Sequence, residues 1–158
     1  MMRGGEFSTP QVFDGGCVRK KEIILLYEAA EEALFPSGAK LVLININRTI
    51  ENPELALYDA VRYSWKISRR RAEGADYVLA VAHGLIVEVF EADEWLPARE
   101  ENFPDVPASH GNWEHQDGRS GFRGRKGPDD VRKLYVNKRV PKRLRKRGAA
   151  GPIRYVGI

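Results

Sequence analysis

Cysteine and long apolar runs are almost missing from this sequence, and each absence excludes a class of protein. Cys17 is the single cysteine, so the chain cannot form an intramolecular disulfide or a zinc site built on several thiolates. A chain without disulfides is expected in the cytoplasm. The apolar runs at 78–82 and 85–87 are far too short to cross a bilayer, so no membrane partner is expected. Residues 1–16 lack the apolar core of a signal peptide, and we expect residues 1–17 to form a flexible arm.

The length and composition fit a soluble protein with its own core. A domain of about 150 residues buries roughly 70% of the surface of its unfolded chain, so 158 residues suffice without disulfides. An apolar fraction of 42% beside 30% charged residues is typical of globular domains rather than of disordered chains. We therefore expect a single domain over residues 18–158.

Positive charge is concentrated in the last quarter of the chain. Residues 119–158, the basic segment, contain fourteen Lys or Arg and two Asp, which gives a net charge of +12. The whole chain carries +4, so residues 1–118 carry −8. Such a segment, with few acids of its own, is typical of proteins that bind a polyanion, most often nucleic acid. The acidic body beside a basic segment also makes a homo-oligomer plausible.

The spacing of apolar residues predicts an α+β fold. Apolar residues at steps of three and four predict a helix over residues 20–35. Asn52 as N-cap and Pro53 as the first helical residue predict a second helix that runs to residue 67. Further helices are predicted at 69–73 and 128–136, and strands at 39–46, 76–82, 85–91 and 153–156. Helices and strands do not alternate as in parallel crossover sheets. We therefore expect a small, mainly antiparallel or mixed sheet that could be barrel-like, with two to four helices.

Three connecting segments carry further expectations. His83 and Gly84 have the length and glycine placement of a tight hairpin turn. Residues 95–117 are predicted to form a long irregular loop, which at this length is functional or mobile. Residues 118–127 are predicted to form a glycine-rich basic loop whose backbone could approach a phosphate closely. An ordinary flexible loop is the alternative for this last segment.

The basic segment supplies most of the candidate site residues. Lys and Arg side chains neutralise phosphates and release counterions, so six such contacts would give a salt slope of roughly −5 on duplex DNA. A solvated basic loop without a partner is the alternative interpretation. The candidate nucleic-acid-binding residues here are Arg119, Arg123, Arg125, Lys138, Lys142, Arg143, Arg145, Lys146 and Arg147.

The predicted second helix places aromatic residues beside a cation. On a helix, Arg62 lies one turn after Tyr58 and one turn before Trp65, so its guanidinium could stack between the two rings. Asp59 could pair with Arg62 at the same spacing. Because base stacking needs aromatic rings and benefits from cations, Arg62 and Trp65 are further candidate nucleic-acid-binding residues. The alternative is structural, with Trp65 as a core anchor and Arg62 as a partner within the fold.

Evidence for catalysis is thinner, and whether the protein is an enzyme stays open. A nuclease would hold Mg²⁺ with carboxylates, and no other cofactor is considered. The carboxylates available for this are Asp59, Asp76, Glu88 and Glu94. Glu88 interrupts an apolar strand, although a charge on the solvent face of an edge strand is the alternative. His110 and His115 match no strong metal-ligand spacing, and neither a Walker loop nor a dinucleotide fingerprint is present.

Two stretches of the chain resemble a motif that recurs in small uncharacterised prokaryotic proteins. The first, at 57–95, contains LYDAVRYSWKIS and RAEGADYVLAVAHGLIVEVFEADEW, and the second, at 135–156, contains YVNKRVP and PIRYV. No established activity is attached to that motif, so it implies no site residues. The alternation of short strands with a Trp-bearing helix is also similar to the compact pseudo-barrels of PUA, ASCH and EVE domains. That resemblance implies a barrel-like fold and the binding of RNA or modified bases.

Three functional hypotheses follow, and the first is a nucleic-acid-binding domain. Asn45, Asn47 or Asn112 would recognise a base edge, and one continuous positive surface would join Arg62 to Arg145. The second is a small nuclease or base-processing enzyme, which needs two carboxylates, or a carboxylate and a histidine, beside the basic surface. The third is an interaction module that docks on an acidic protein. The sequence does not distinguish DNA from RNA.

Overall fold

A curled sheet of six strands is the centre of the fold. The computed structural model describes residues 20–112, 117–145 and 151–158. Its strands are β1 (Leu41–Asn45), β2 (Tyr63–Trp65), β3 (Tyr77–Ala82), β4 (Leu85–Pro97), β5 (Ser120–Lys126) and β6 (Ile153–Val156). They lie in the order β2-β5-β4-β3-β1-β6, and the sheet curls into a half-barrel with β2 and β6 at its edges. β1 and β3 pair in parallel and the other neighbours are antiparallel, which confirms the predicted α+β fold with a mixed sheet.

Short helices cover both faces of this sheet. They are α1 (Lys20–Ala29), α2 (Leu57–Arg62), α3 (Arg69–Glu73), α4 (Ala108–Gly111) and α5 (Asp129–Tyr135), with a 3-10 turn at Lys142–Leu144. The first three contribute Ile23, Val61 and Ala72 to one apolar cluster, and α5 contributes Tyr135 to the cluster on the opposite face. Apart from the single turn α4, four described helices have five residues or more, which agrees with the prediction. Within the described ranges, no helix is long and apolar enough to span a membrane.

Strand β1 is apolar on both faces because both faces are covered. Val42 and Ile44 belong to one apolar cluster, and Leu41 and Leu43 belong to the other. The strand predicted at 39–46 is confirmed, and β1 lies inside the sheet between β3 and β6. The strand therefore fixes the position of Asn45 and of the loop that follows it at one end of the sheet.

The predicted hairpin turn between β3 and β4 is confirmed. His83 and Gly84 both have positive φ, at 49° and 83°, as a type I′ turn requires. A Cβ on Gly84 would lie 2.8 Å from Cε2 of Tyr27, so the Tyr27 ring, on α1, packs directly on the turn. The turn is thus held from the helix side as well as by its two strands.

The first predicted helix is shorter than expected. α1 ends at Ala29 instead of residue 35, and the next residues pair with a distant segment. Ala33 N–H donates to the carbonyl of Arg139 at 2.8 Å, and Arg139 N–H donates to Glu31 at 2.8 Å. Because this pairing fixes the chain in an extended form, Leu34 is turned outward and is 85% exposed.

The second predicted helix is wrong at both ends. Asn52 accepts a hydrogen bond from Glu54 N–H in a turn instead of capping a helix, and α2 begins only at Leu57. After α2 the chain turns into the edge strand β2, which pairs with β5. Tyr63 and Trp65 are then buried on a strand, where they are 1% and 9% exposed. By contrast, the short helix α3 is as predicted at 69–73, and the Ser68 side chain caps it by accepting from Arg71 N–H.

The glycine-rich residues 118–127 do not form the predicted phosphate-binding loop. They contain strand β5, because β4 continues to Pro97 and pairs with it over seven positions. A Cβ on Gly121 would lie 2.4 Å from the Arg62 carbonyl oxygen, and one on Gly124 would lie 1.8 Å from that of Glu91. These two glycines therefore permit close packing between strands. The predicted irregular loop 95–117 is shortened by the same extension of β4.

Candidate functional site

An open cleft of about 1020 Å³ lies between the two edge strands of the half-barrel. Strand β2 forms one wall, strand β6 forms the other, and the loop after β1 lies between them. We call it the seam cleft. Its lining residues are Asn45, Asn47, Arg48, Thr49, Tyr63, Ser64, Trp65, Lys66, His110, Asn112, Arg119, Gly151, Pro152, Ile153 and Tyr155.

Short-range hydrogen bonds fix the loop after β1 in the seam cleft. The Asn45 side-chain oxygen accepts from Asn47 N–H at 2.9 Å, and the Asn47 side-chain oxygen accepts from His83 N–H at 2.7 Å. The Thr49 hydroxyl donates to the carbonyl of Ala60 at 2.9 Å. These contacts tie the loop to the β3–β4 turn and to α2. Arg48, which lies between the tied residues, is consequently held at the cleft with an exposed side chain.

The seam cleft is positively charged. Arg48, Lys66 and Arg119 line it, whereas none of its described lining residues is Asp or Glu. Arg119 donates from Nη1 to the carbonyl of Ser64 at 2.9 Å, which orients its guanidinium without neutralising it. Arg48 and Lys66 are exposed and form no ion pair with any described residue. Three cations are therefore available to a ligand in one cleft.

The aromatic residues of the seam cleft are mostly buried. The Trp65 indole donates from Nε1 to the carbonyl of Val61 at 2.7 Å, and the ring is only 9% exposed. The Tyr155 hydroxyl accepts from Ser68 N–H at 3.0 Å, and the Arg71 guanidinium lies 3.7 Å from the centre of its ring. Tyr155 thereby joins β6 to the start of α3. Both rings can offer an edge or one face to a ligand, but not two faces.

Tyr63 and His110 form the buried end of the cleft. The Tyr63 hydroxyl donates to the carbonyl of Gly111 at 2.7 Å, and burial raises the pKa of Tyr63 to about 12. His110 lies edge-on to the Tyr63 ring, with Nε2 3.3 Å from the Tyr63 carbonyl oxygen. Burial lowers the pKa of His110 below its ordinary value, despite the opposing effects of the Tyr63 carbonyl and of Asp59. The imidazole is therefore expected to be neutral at pH 7.

Arg62 is buried away from this cleft. It is 2% exposed, and its Nη2 lies 2.9 Å from Asp59 and 3.1 Å from Asp105. Burial alone would lower the pKa of Arg62, but Asp105 and Asp59 outweigh it and raise that pKa. The predicted pair with Asp59 is present, whereas the rings beside the guanidinium are those of Tyr58 and Phe103 instead of Trp65. A continuous positive surface cannot include this side chain, because its charge is enclosed by two carboxylates.

The remaining basic candidates are spread over several parts of the surface. Arg123 is exposed on β5, and Arg125 pairs with Asp93 at 2.6 Å. Lys138 lies 3.5 Å from Glu31. Lys142 and Arg143 are exposed in the 3-10 turn, and Arg145 follows them, while Lys146 and Arg147 lie outside the described residues. Of the predicted set, Trp65 and Arg119 lie in the seam cleft.

A smaller cavity of about 410 Å³ adjoins the seam cleft. It lies between the β3–β4 turn and the 3-10 turn, and both cavities are lined by Asn45, Asn47, Gly151 and Pro152. We call it the turn cavity. Its other lining residues are Tyr27, Leu43, Val81, His83, Gly84, Val140, Leu144, Arg145 and Arg154. Arg145 lines this cavity and not the seam cleft.

The carboxylates proposed for a nuclease do not converge on either cavity. The alternative for Glu88, a charge on the solvent face of an edge strand, is also wrong, because β4 lies inside the sheet and Glu88 is 2% exposed. Arg132 contacts both of its oxygens, at 2.7 and 3.0 Å. Within the described ranges, no group of three or more His, Cys, Asp or Glu side chains could hold a metal ion. No described Asp or Glu lines the seam cleft or the turn cavity.

Two of the three cations of the seam cleft, Arg48 and Lys66, were not among the predicted site residues. Arg48 and Lys66 belong to the acidic part of the sequence, where a single cation carries no signal in the composition. The position of Arg48 directly after a central strand was the available clue, because loops at strand ends often form binding sites.

Comparisons with protein families, with curated proteins and with solved structures found no match for this chain. The resemblances noted from the sequence therefore stay expectations. A function has to be inferred from the geometry and charge of the cleft itself.

Proposed function

We propose that this protein binds single-stranded or locally unpaired nucleic acid in the seam cleft. The observation that carries the proposal is the charge of the cleft, where three cations occur and none of the described lining residues is acidic. Clefts lined by one sign of charge concentrate ligands of the opposite sign. A polynucleotide backbone carries one negative charge per phosphate, so a strand that lies along the open cleft could contact several of its cations.

The shape of the cleft favours a single strand over a duplex. Proteins that recognise duplex DNA insert a projecting helix or ribbon into the major groove. The seam cleft is instead concave and lies between two edge strands, and a cation-lined groove with aromatic side chains suits unpaired strands. Trp65 and Tyr155 supply limited aromatic contact, consistent with one base held against each rather than a continuous stack.

Asparagine side chains could provide base recognition in the same place. An amide side chain offers both hydrogen-bond donors and an acceptor, so it can pair with acceptor or donor groups on the edge of a base. Asn45 is exposed where β1 ends, and Asn112 lies beyond α4 on the side of β2. These residues lie on two sides of the cleft, so a strand between them could be contacted from both.

The test is fluorescence anisotropy with labelled single-stranded DNA, single-stranded RNA and duplexes of the same sequence over a salt series. Each phosphate contact on a single strand contributes about −0.7 to the salt slope, so three cations predict a slope of about −2. Arg48→Gln combined with Lys66→Gln should reduce the magnitude of the slope by about 1.4 and weaken binding at low salt. Both side chains are exposed, so the fold should be unaffected.

The matched control is Lys40→Gln combined with Lys133→Gln. It removes the same charge from two exposed lysines, one at the opposite end of β1 and one on α5. Equal loss of affinity in both double variants would refute the seam cleft as the site, and no binding by the unaltered protein at low salt would refute the function. Running the mixtures on a gel with and without Mg²⁺ shows whether the strand is also cleaved.

A further inference from the structure

Two apolar side chains lie exposed next to each other on the outer face of α1. Ile24 is 42% exposed and Leu25 is 66% exposed. The opposite face of the helix, with Ile23, Leu26 and Tyr27, packs against the core, so the fold of one chain leaves the outer pair in solvent. Single exposed apolar residues are common on protein surfaces, so these two gain meaning only from the residues that flank them.

One residue of each charge flanks this pair. Positions i, i+3, i+4 and i+7 of a helix share one face. The residues at this spacing, which we call the α1 face, are Lys21, Ile24, Leu25 and Glu28. Lys21 and Glu28 are exposed, and neither forms an ion pair with another described residue. Their backbones are about 10 Å apart along the helix axis, and the apolar pair lies between them.

The order of residues on the α1 face is self-complementary. A second, antiparallel copy of α1, related by a two-fold axis between Ile24 and Leu25, would bring Lys21 of each helix opposite Glu28 of the other. The apolar side chains of both helices would then meet between the two ion pairs. A two-fold interface uses the same patch on both subunits, so that patch has to complement itself. Parallel helices would instead place like charges opposite each other, which is unfavourable.

We propose that the α1 face is a dimer interface, at which two copies of this chain pair through antiparallel α1 helices. A second copy is the partner because the charges of the α1 face match the same charges read in the opposite direction. A uniformly acidic or uniformly basic partner would match only one of the two charges. The inference does not depend on the proposed function, since no residue of the α1 face lines the seam cleft.

The dimer should be weak, because the interface is small. One short helix from each subunit belongs to the class of transient interfaces, which bury less than about 1,200 Å² in total. We therefore expect mostly monomer at about 10 μM protein and mostly dimer at about 1 mM. The apolar contact supplies most of the affinity, since exposed ion pairs contribute little, and the charges select the antiparallel direction.

Sedimentation equilibrium of the full chain over this concentration range measures the dimer. Leu25→Gln should weaken dimerisation about tenfold, because it removes one apolar side chain from each subunit. Leu134→Gln is the matched control, because Leu134 is also exposed, at 55%, but lies on α5. It should leave the dimer unchanged. Circular dichroism confirms that each variant is folded, as expected for changes at exposed positions.

Charge reversal tests the antiparallel pairing itself. Glu28→Lys or Lys21→Glu alone places like charges opposite each other at both ends of the interface, and each should weaken dimerisation about tenfold. The two changes combined in one chain restore opposite charges and should restore the dimer. A mixture of the two single variants should also dimerise, because each supplies the charge that the other needs. Both changes suit the dipole of α1, so the helix should not be weakened.

Three results would overturn the proposal. The first is a chain that stays monomeric at about 1 mM protein, the upper end of the range for a weak interface. The second is a dimer that Leu25→Gln leaves intact or that Leu134→Gln weakens equally, since the interface would then lie elsewhere. The third is a doubly reversed chain that dimerises no better than the single variants, because antiparallel pairing of Lys21 with Glu28 requires the rescue.

Discussion

Arg132 is predicted to contribute more to stability than any surface cation of the basic segment. Arg132 contacts both oxygens of Glu88, whose side chain is 3% exposed. In Arg132→Met the carboxylate would stay buried and would keep two partners. These are the N–H of Val89 at 3.0 Å and the ammonium of Lys126 at 3.7 Å. Removing one partner of a buried ion pair costs about 3–5 kcal/mol. Since Lys126 still compensates in part, we expect a loss of about 3 kcal/mol.

Urea unfolding followed by circular dichroism measures this loss. With a slope of about 2 kcal/mol per molar urea, the midpoint should fall by roughly 1.5 M. Arg125→Met is the control, because Arg125 also pairs with an acid, Asp93, but is 60% exposed. Its midpoint should hardly change, since exposed ion pairs contribute little.

A second variant identifies the cause of the loss. Adding Glu88→Gln to Arg132→Met removes the buried charge while keeping an oxygen that accepts from Val89 N–H. The double variant should therefore be more stable than Arg132→Met alone. If Arg132→Met and Arg125→Met shift the midpoint equally, or if Glu88→Gln fails to restore stability, the assignment of a buried, uncompensated carboxylate is refuted.

Two further predictions concern β5 and β2. Gly124→Ala should lower the free energy of unfolding in urea by about 3 kcal/mol, because the new Cβ would meet the Glu91 carbonyl oxygen. Gly118→Ala is the control, because the space around Gly118 is open. It should lower the free energy of unfolding by about 1 kcal/mol, since Gly118 has a positive φ. Equal costs would contradict the close approach of β4 and β5. Burial raises the pKa of Tyr63 from 10.0 to about 12, so the folded state keeps the phenol proton to a higher pH than the unfolded state does. The free energy of unfolding should therefore fall as the pH rises from 10 to 12. Tyr63→Phe should flatten this fall in denaturant titrations, and an unchanged pH dependence would contradict the burial of the hydroxyl.

Local sequence signals were sufficient where no distant segment competed with them. The β-branched apolar run that forms β1, the His83-Gly84 turn and the Ser68 cap of α3 each depend on residues a few positions apart. The first helix failed for the opposite reason. Its last predicted turn pairs with the backbone of Arg139, more than one hundred positions away, and no local pattern reveals that partner.

The prediction of the site was limited in the same way. Trp65 and Arg119 were predicted to belong to one site, and both lie in the seam cleft. Trp65, however, was assigned to a helix and lies on strand β2. Arg62 was chosen from its spacing to Tyr58 and Trp65, but Asp105, a distant residue in sequence, completes its burial. Arg48 was missed because its place in the cleft depends on the curl of the sheet. The curl brings the two edge strands close to the loop that contains Arg48.

The division of the chain into acidic and basic parts has a structural explanation that limits where a ligand can bind. Several cations of the basic segment pair with acids from the first part of the chain. These ion pairs are Arg125–Asp93, Lys126–Glu88, Arg132–Glu88, Lys138–Glu31 and Arg145–Glu32.

Another cation, Arg139, donates to the carbonyls of Tyr27 and Glu28 at the end of α1. Part of the net charge of the basic segment is therefore used within the fold, and composition alone overstates the surface that it offers. A polyanion is attracted most where cations remain without acids. Among the described residues that condition is met in the seam cleft, where Arg48 and Lys66 from the acidic part of the chain join Arg119 from the basic one.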